Sequence, residues 1–159
     1  MFKIQLMKLS PFKPINITLF ILLILISLTG CKPHQYITRT ENHNVVEPGL
    51  ISIISGGYGE TKDLASRNAI QSAFKNILIY GVPESSQPSP MLGSSAMTIY
   101  MMKRRFFEDF LENGTDPFIL KKKIRGFSYV DEQSPSTEVE LLINLIALKQ
   151  HLEENNIIR

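Results

Sequence analysis

The residues that decide the fold are Thr137-Glu138-Val139-Glu140-Leu141-Leu142-Ile143-Asn144-Leu145. Apolar side chains at positions 139, 141, 143 and 145 alternate with mostly polar ones, and this period of two is typical of an antiparallel strand with one buried face. Residues 118–130 also have strand character, and the segment between, residues 131–136, contains Ser134-Pro135. The sequence therefore predicts a β-hairpin near the carboxyl terminus.

The same period predicts which face each side chain of the first hairpin strand occupies. Phe118, Leu120 and Ile124 are expected to point toward the core, and Lys121, Lys123 and Arg125 toward solvent. With the turn inside residues 131–136, Arg125 is expected opposite or diagonal to Glu140. Such a cross-strand pair contributes about 0.2 to 1 kcal/mol.

Upstream of the hairpin, the sequence predicts one strand and two helices. Residues 50–55 are rich in β-branched side chains and favour a strand. Thr61 is a suitable N-cap for a helix that carries alanines every four residues, at 65, 69 and 73, and that ends at Gly81. Residues 82–95 are expected to form a loop, and residues 96–111 a second helix that Gly114 terminates. A short last helix is expected to run through Leu148 and Leu152 to about Asn155. The predicted fold is α+β, a small antiparallel sheet of about three strands packed on helices, in the order β-α-α-β-β-α.

The amino terminus has the three parts of a secretory signal. Lys3, Lys8 and Lys13 precede an apolar run over residues 15–28, and Leu28-Thr29-Gly30-Cys31 follows. A transmembrane helix is the competing interpretation, but it needs about 20 apolar residues. The motif resembles the lipobox of bacterial lipoproteins, in which Leu28, Thr29 and Gly30 would be the recognition residues. The resemblance implies cleavage before Cys31 and acylation of that cysteine.

These boundaries divide the chain into three parts. Residues 1–30 are the expected signal peptide, residues 31–44 a flexible tether after the acylated Cys31, and residues 45–159 a single α+β domain. The leader holds three of the 17 basic residues and none of the 15 acidic ones, so the rest of the chain has a formal net charge of −1 rather than +2. A nucleic-acid partner, which favours a basic domain, is therefore not expected.

The lipoprotein resemblance also implies a location. The residue after the acylated cysteine is Lys32 rather than an acidic residue, which by analogy with lipoprotein sorting favours the outer membrane, facing the periplasm. The expected partners are thus the membrane, through the amino-terminal lipid, and an envelope protein. Because Cys31 is the only cysteine, an intramolecular disulfide is impossible.

No motif predicts catalysis, a metal site or a cofactor. Gly56-Gly57-Tyr58-Gly59 lies between a strand and a helix, as a phosphate cradle would, but neither G-x-G-x-x-G nor G-x-x-x-x-G-K-[ST] is present. Glycines that let the chain turn with positive φ are the favoured interpretation. The three histidines lack i, i+4 spacing, and His151 is expected to be an exposed helical residue. The absence of a G-x-S-x-G elbow disfavours a small hydrolase.

Two surface features leave alternatives open. The basic residues Lys103, Arg104 and Arg105 could contact anionic lipid or glycan. A solvated helix face is favoured, in which Arg104 pairs with Glu108 and Arg105 with Asp109. The second feature is a run of large apolar side chains that exceeds one narrow helical stripe, so core packing and a partner surface are both candidate roles. Its members are Met97, Met101, Met102, Phe106, Phe107 and Phe110.

Several short segments together resemble a group of uncharacterised lipoproteins from Gram-negative bacteria. They are Gly57-Tyr58-Gly59-Glu60, the alanine helix, Gly81-Val82-Pro83, Phe106-Phe107-Glu108-Asp109-Phe110, Ile143-Asn144-Leu145 and Leu152-Glu153. More distantly, the strand and alanine-rich helix resemble the amino-terminal module of a flagellar ring protein and the core of dodecin-like α+β lipoproteins. The resemblance implies a fold and a location but no activity. We therefore expect a non-enzymatic binding or assembly module, with a structural subunit of an envelope complex and a small hydrolase as alternatives.

Overall fold

The computed structural model describes residues 38–39, 47–131 and 134–159. All of these residues belong to one compact unit, His34–Arg159. The predicted leader, the lipobox and most of the predicted tether lie outside the described residues. Two residues of the predicted tether, Thr38 and Arg39, are described, and they form a short strand.

One antiparallel sheet contains four strands in the order β1-β2-β4-β3. They are β1 (Thr38–Arg39), β2 (Leu50–Tyr58), β3 (Ile119–Asp131) and β4 (Ser134–Asn144). The α+β class, the hairpin and its antiparallel pairing are confirmed, and β4, the strand with the clearest alternation, lies between β2 and β3. The sheet has a hairpin end, where Tyr58 pairs with Ser136, and a far end, where Leu50 pairs with Asn144.

Helix α1 (Lys62–Lys75) follows β2 and returns toward the far end of the sheet. Thr61 caps it as predicted, because the Thr61 side chain accepts a hydrogen bond from the Leu64 N–H at 3.2 Å. Its last turn widens into a π-helical segment (Asn76–Tyr80), which ends at Gly81 with φ of +77°. Glycine adopts this left-handed conformation readily, so the predicted C-cap is confirmed.

The second predicted helix is divided into shorter segments. Helix α2 (Ala96–Met102) and helix α3 (Arg104–Asp109) are separated at Lys103, whose backbone angles of −106° and 27° are not helical. A π-helical segment (Phe110–Gly114) and a 3₁₀ turn (Asp116–Phe118) then lead into β3. Helix α4 (Leu145–Glu154) follows β4 directly and is capped by the Asn144 side chain. Leu145, expected to be the last strand residue, is thus the first residue of this helix.

The core lies between the helices and one face of β2 and β4. Phe74 on α1 and Val139, Leu141 and Ile143 on β4 are all fully buried, which confirms the predicted faces of both elements. Helix α1 packs across β2 and β4. Burial of side chains of this size supplies about 1.5 to 3 kcal/mol each, so these residues contribute strongly to the stability of the fold.

The predicted burial of β3 side chains is wrong at Leu120 and Ile124. Leu120 is exposed because it is the extra residue of a β-bulge between Ile119 and Lys121, a register shift that the alternating pattern does not reveal. Ile124 pairs with the buried Val139 and lies on the expected face, but it is 44% exposed because every residue over 121–129 lies at an edge that the helices leave uncovered. Phe118 is buried as predicted, although it belongs to the 3₁₀ turn.

The cross-strand charge pair is confirmed. Arg125 Nε lies 3.4 Å from Glu140 Oε2, and both side chains are partly exposed. Their backbones are diagonal rather than opposite, because Glu140 pairs with Lys123 and a second bulge separates Ile124 from Gly126. The pair links the central strand to the edge strand on the face away from the helices.

Candidate functional site

The predicted lipidation site lies outside the described residues. Leu28, Thr29, Gly30 and Cys31 precede β1, and their roles remain predictions. The first described strand after them is β1, in which Thr38 pairs with Ser55 and Arg39 with Ile54. From Arg39 back to Thr38 the chain therefore runs toward the hairpin end of the sheet.

The exposed face of α2 forms a methionine surface, made of Met97, Met101 and Met102. Met101 is 60% exposed and Met102 is 78% exposed, whereas Phe107 and Phe110 are buried in the core and Phe106 is partly buried. Sequence reasoning left core packing and a partner surface open for all six residues. The structure divides them, and the three methionines remain accessible.

This surface lies at the far end of the sheet. Helix α2 packs against the π-helical segment that ends α1, while the start of α1 packs beside Gly57 and Gly59 at the hairpin end. Unbranched methionine side chains adapt to differently shaped partners, and such residues are frequent on promiscuous binding surfaces. The methionine surface can therefore accept an apolar partner at the far end of the domain.

Basic residues border the methionine surface. Lys103, Arg104 and Arg105 are all exposed, and Arg104 Nε donates a hydrogen bond of 2.6 Å to Glu108 Oε1, as the helical spacing predicted. This hydrogen bond and the charge of the Glu108 carboxylate raise the pKa of the Arg104 guanidinium. The positive charge of this border is thus partly neutralised within α3.

An aromatic cluster in the core corrects the expectation for His151. The His151 ring is partly buried and lies 5.3 Å from the Phe118 ring and 5.8 Å from the Phe110 ring, measured between centroids. Phe106 also stacks on His151, at 6.1 Å. Because these rings come from segments far apart in the chain, helical periodicity alone could not place His151 among them.

The glycine-rich stretch acts neither as a phosphate cradle nor as a turn with positive φ at Gly57 and Gly59. A Cβ atom on Gly57 would lie 2.3 Å from the Ala65 carbonyl oxygen and 2.3 Å from the Ala69 nitrogen, so glycine is required for the close approach of α1 to β2. Neither Gly57 nor Gly59 has positive φ, which makes the turn explanation wrong for these two residues. The small size of Ala65 and Ala69 was the signal for this contact in the sequence.

Small side chains leave a shallow groove of about 380 Å³ on the sheet near the hairpin end. Its polar groups bond mainly to one another: the Ser128 and Ser136 hydroxyl oxygens are 2.6 Å apart, and Thr137 Oγ1 donates to the Gly126 carbonyl at 2.6 Å. Thr61 already accepts from the first turn of α1. These contacts give no support to a phosphate cradle at the glycine stretch.

A second groove of about 460 Å³ lies between α1, β3 and the segment after α3. Its lining mixes charges of both signs, with Arg67 and Lys122 near Asp63, Glu112 and Asp116. Within the ranges that the structure describes, no group of three or more histidine, cysteine, aspartate or glutamate side chains is placed to hold a metal ion.

Comparisons with protein-family models, with curated proteins and with solved structures found no match to this chain. The resemblance to Gram-negative lipoproteins therefore stays a prediction from the sequence. None of the helices in residues 47–131 and 134–159 has the length and hydropathy needed to cross a bilayer.

Proposed function

We propose that this protein is a membrane-anchored bacterial lipoprotein whose domain serves as a non-enzymatic binding or assembly module in the cell envelope. The observation that carries the proposal is Leu28-Thr29-Gly30-Cys31, placed directly after a basic and then apolar leader in a chain with one cysteine. A thiol at this position accepts a diacylglyceryl group in lipoproteins. Lys32 favours the outer membrane, with the domain facing the periplasm.

The methionine surface is the face we propose for binding. Its three exposed apolar side chains are grouped on one short helix, and burying such a group against a partner is favourable by about 25 cal/mol per Å² of apolar area. The basic border of Lys103 and Arg105 would favour a partner with acidic residues around an apolar centre.

The anchor is tested by metabolic labelling with a clickable fatty acid. We expect label on the wild-type protein and none on Cys31→Ser, which should accumulate as a precursor because a hydroxyl does not replace the thiol in the lipid transfer. Gln35→Ser is the matched control, since it adds a serine nearby and keeps the cysteine. Equal labelling of Cys31→Ser and the wild type would refute the lipoprotein proposal.

The binding face is tested by crosslinking in intact cells followed by gentle solubilisation. Replacing Met97, Met101 and Met102 together with glutamine keeps side-chain length and helix propensity but makes the surface polar. We expect the crosslinked partner to be lost and the melting temperature to stay unchanged, since these side chains are exposed. Leu120→Gln, a similar change at an exposed site on β3, should keep the partner. Capture of the same partner by the triple variant would rule out this surface.

A further inference from the structure

We propose that the hairpin end of the domain lies in the interfacial region of the bilayer that holds the acyl anchor. The contact residues are Lys62, Leu64, Phe127 and Tyr129, which we call the hairpin-end patch. This inference rests on the proposed lipidation of Cys31. It adds an orientation: one end of the sheet faces the membrane and the methionine surface faces away from it.

The length of the chain before β1 allows the anchor to lie at this end. The seven residue steps from Cys31 to Thr38 reach at most about 25 Å. Thr38 is level with Ser55, and Tyr58 lies about 10 Å further along the sheet at 3.3 Å per strand residue. The hairpin extends past Tyr58 by only the few residues between Ser136 and the turn. A fully extended tether thus reaches only about 10 Å beyond the hairpin.

The exposed side chains at this end have the chemistry of a membrane interface. Phe127 and Tyr129 are two residues apart on the same face of β3, and Tyr129 is 57% exposed. Leu64, in the first turn of α1, is also exposed, and Lys62 Nζ lies 5.1 Å from the centre of the Phe127 ring. Tyrosine and lysine combine an apolar body with a polar tip, which favours the boundary between headgroups and acyl chains.

The patch is held in place by backbone contacts. Tyr129 pairs with Pro135 across the hairpin, and the Pro135 carbonyl accepts a hydrogen bond of 3.2 Å from the Gly59 N–H just before α1. The hairpin and the start of α1 therefore form one unit. Because the backbone that carries the apolar side chains is already ordered, inserting them into the bilayer costs less conformational entropy.

A bilayer fits this end better than a second copy of the chain pairing along β3. Three bulges interrupt β3, between Ile119 and Lys121, between Ile124 and Gly126, and between Tyr129 and Asp131. Bulges of this kind disrupt the regular edge that another strand would need. Exposed Glu60 and Asp63 also offset Lys62 at this end, so contact should depend on the aromatic and apolar groups and little on lipid charge.

The test uses the full acylated protein in phosphatidylcholine vesicles whose lipids are brominated near the headgroup. The chain has no tryptophan, so Tyr129→Trp introduces a single indole into the hairpin-end patch. Tyr80→Trp is the matched control, because Tyr80 is 62% exposed and lies at the end of the π-helical segment after α1. We expect bromination to reduce the emission of the Tyr129→Trp variant about twofold, as for an interfacial indole, and to leave the Tyr80→Trp variant unchanged.

The remaining outcomes each have one meaning. Equal quenching of both variants, or of neither, would overturn the orientation while leaving the lipoprotein proposal intact. Emission from the Tyr129→Trp variant that changes with protein density but not with bromination would assign the patch to a second copy and would also overturn the inference. Fatty-acid labelling of the same samples reports the anchor separately. Unlabelled protein would overturn both proposals.

Discussion

The two strands of the β3–β4 hairpin lie side by side, yet β4 forms the centre of the core and β3 is exposed over residues 121–129. Ile143 on β4 is fully buried, whereas Ile124 on β3 is 44% exposed. Ile124 pairs with the buried Val139, so both isoleucines are on the face toward the helices. The difference is cover: α1 packs across β2 and β4, and β3 extends past it. Burial of a strand residue thus depends on the layer above it as much as on its own periodicity.

The largest expected effect compares these two isoleucines. Ile143→Ala should lower the free energy of unfolding by about 2 to 5 kcal/mol, because it removes buried methyl groups and leaves a cavity in the core. Ile124→Ala removes the same atoms from a half-exposed site, so we expect a loss of less than about 1 kcal/mol. Urea unfolding of both variants measures the difference. Similar midpoints would show that Ile124 is buried in solution to the same extent as Ile143.

The second prediction tests how closely α1 approaches the sheet. In Gly57→Ala the added Cβ atom meets backbone atoms of Ala65 and Ala69, which cannot move aside as a side chain could. We expect a loss of about 3 kcal/mol, the upper part of the range for overpacked cores. The comparison on the edge strand is Gly126→Ala, where the space is open and the cost of about 1 to 2 kcal/mol comes only from a φ of +148°. A Gly57→Ala variant that melts like the wild type would refute the close approach.

The buried part of this fold could be predicted from the sequence because its signals are local. Three such signals are the alternation in β4, the alanine spacing of α1 and the Thr61 cap. Each depends only on residues that are close together in the sequence. Phe74 and Ile143 were assigned to the core on these grounds, and both are fully buried. Where the residues of one periodic face are all covered by the core, the periodicity of the sequence is enough to predict which of them are buried.

The features that the sequence did not predict depend on contacts between segments that are distant in the chain. The bulge between Ile119 and Lys121 shifts the parity of Leu120 without any proline or glycine at that position. His151 joins a ring cluster whose other members come from residues 106–118. Gly57 was assigned to a turn because its partners on α1 lie eight and twelve residues later. For the candidate site, the pattern showed an excess of apolar residues around α2. Only the packing of the helices decided that the methionines, and not the phenylalanines, remain outside.

The smallest expected effect concerns the charge pair that joins the central strand to the edge strand. A double-mutant cycle with Arg125→Gln and Glu140→Gln should give a coupling energy of about 0.2 to 1 kcal/mol, because the pair is partly exposed and therefore screened by water. Arg104 and Glu108 provide the matched comparison. Their atoms are closer, at 2.6 Å against 3.4 Å, but more than half of each side chain is exposed.

Distance and exposure thus predict opposite rankings for the two pairs, and we expect exposure to decide. A charge pair loses more of its attraction to solvent screening than it gains from a shortening of less than 1 Å at the surface. The cycle for Arg125 and Glu140 should therefore give the larger coupling, and added salt should reduce it. A larger coupling for Arg104 and Glu108 would mean that the shorter distance between the charged atoms outweighs their greater exposure to solvent.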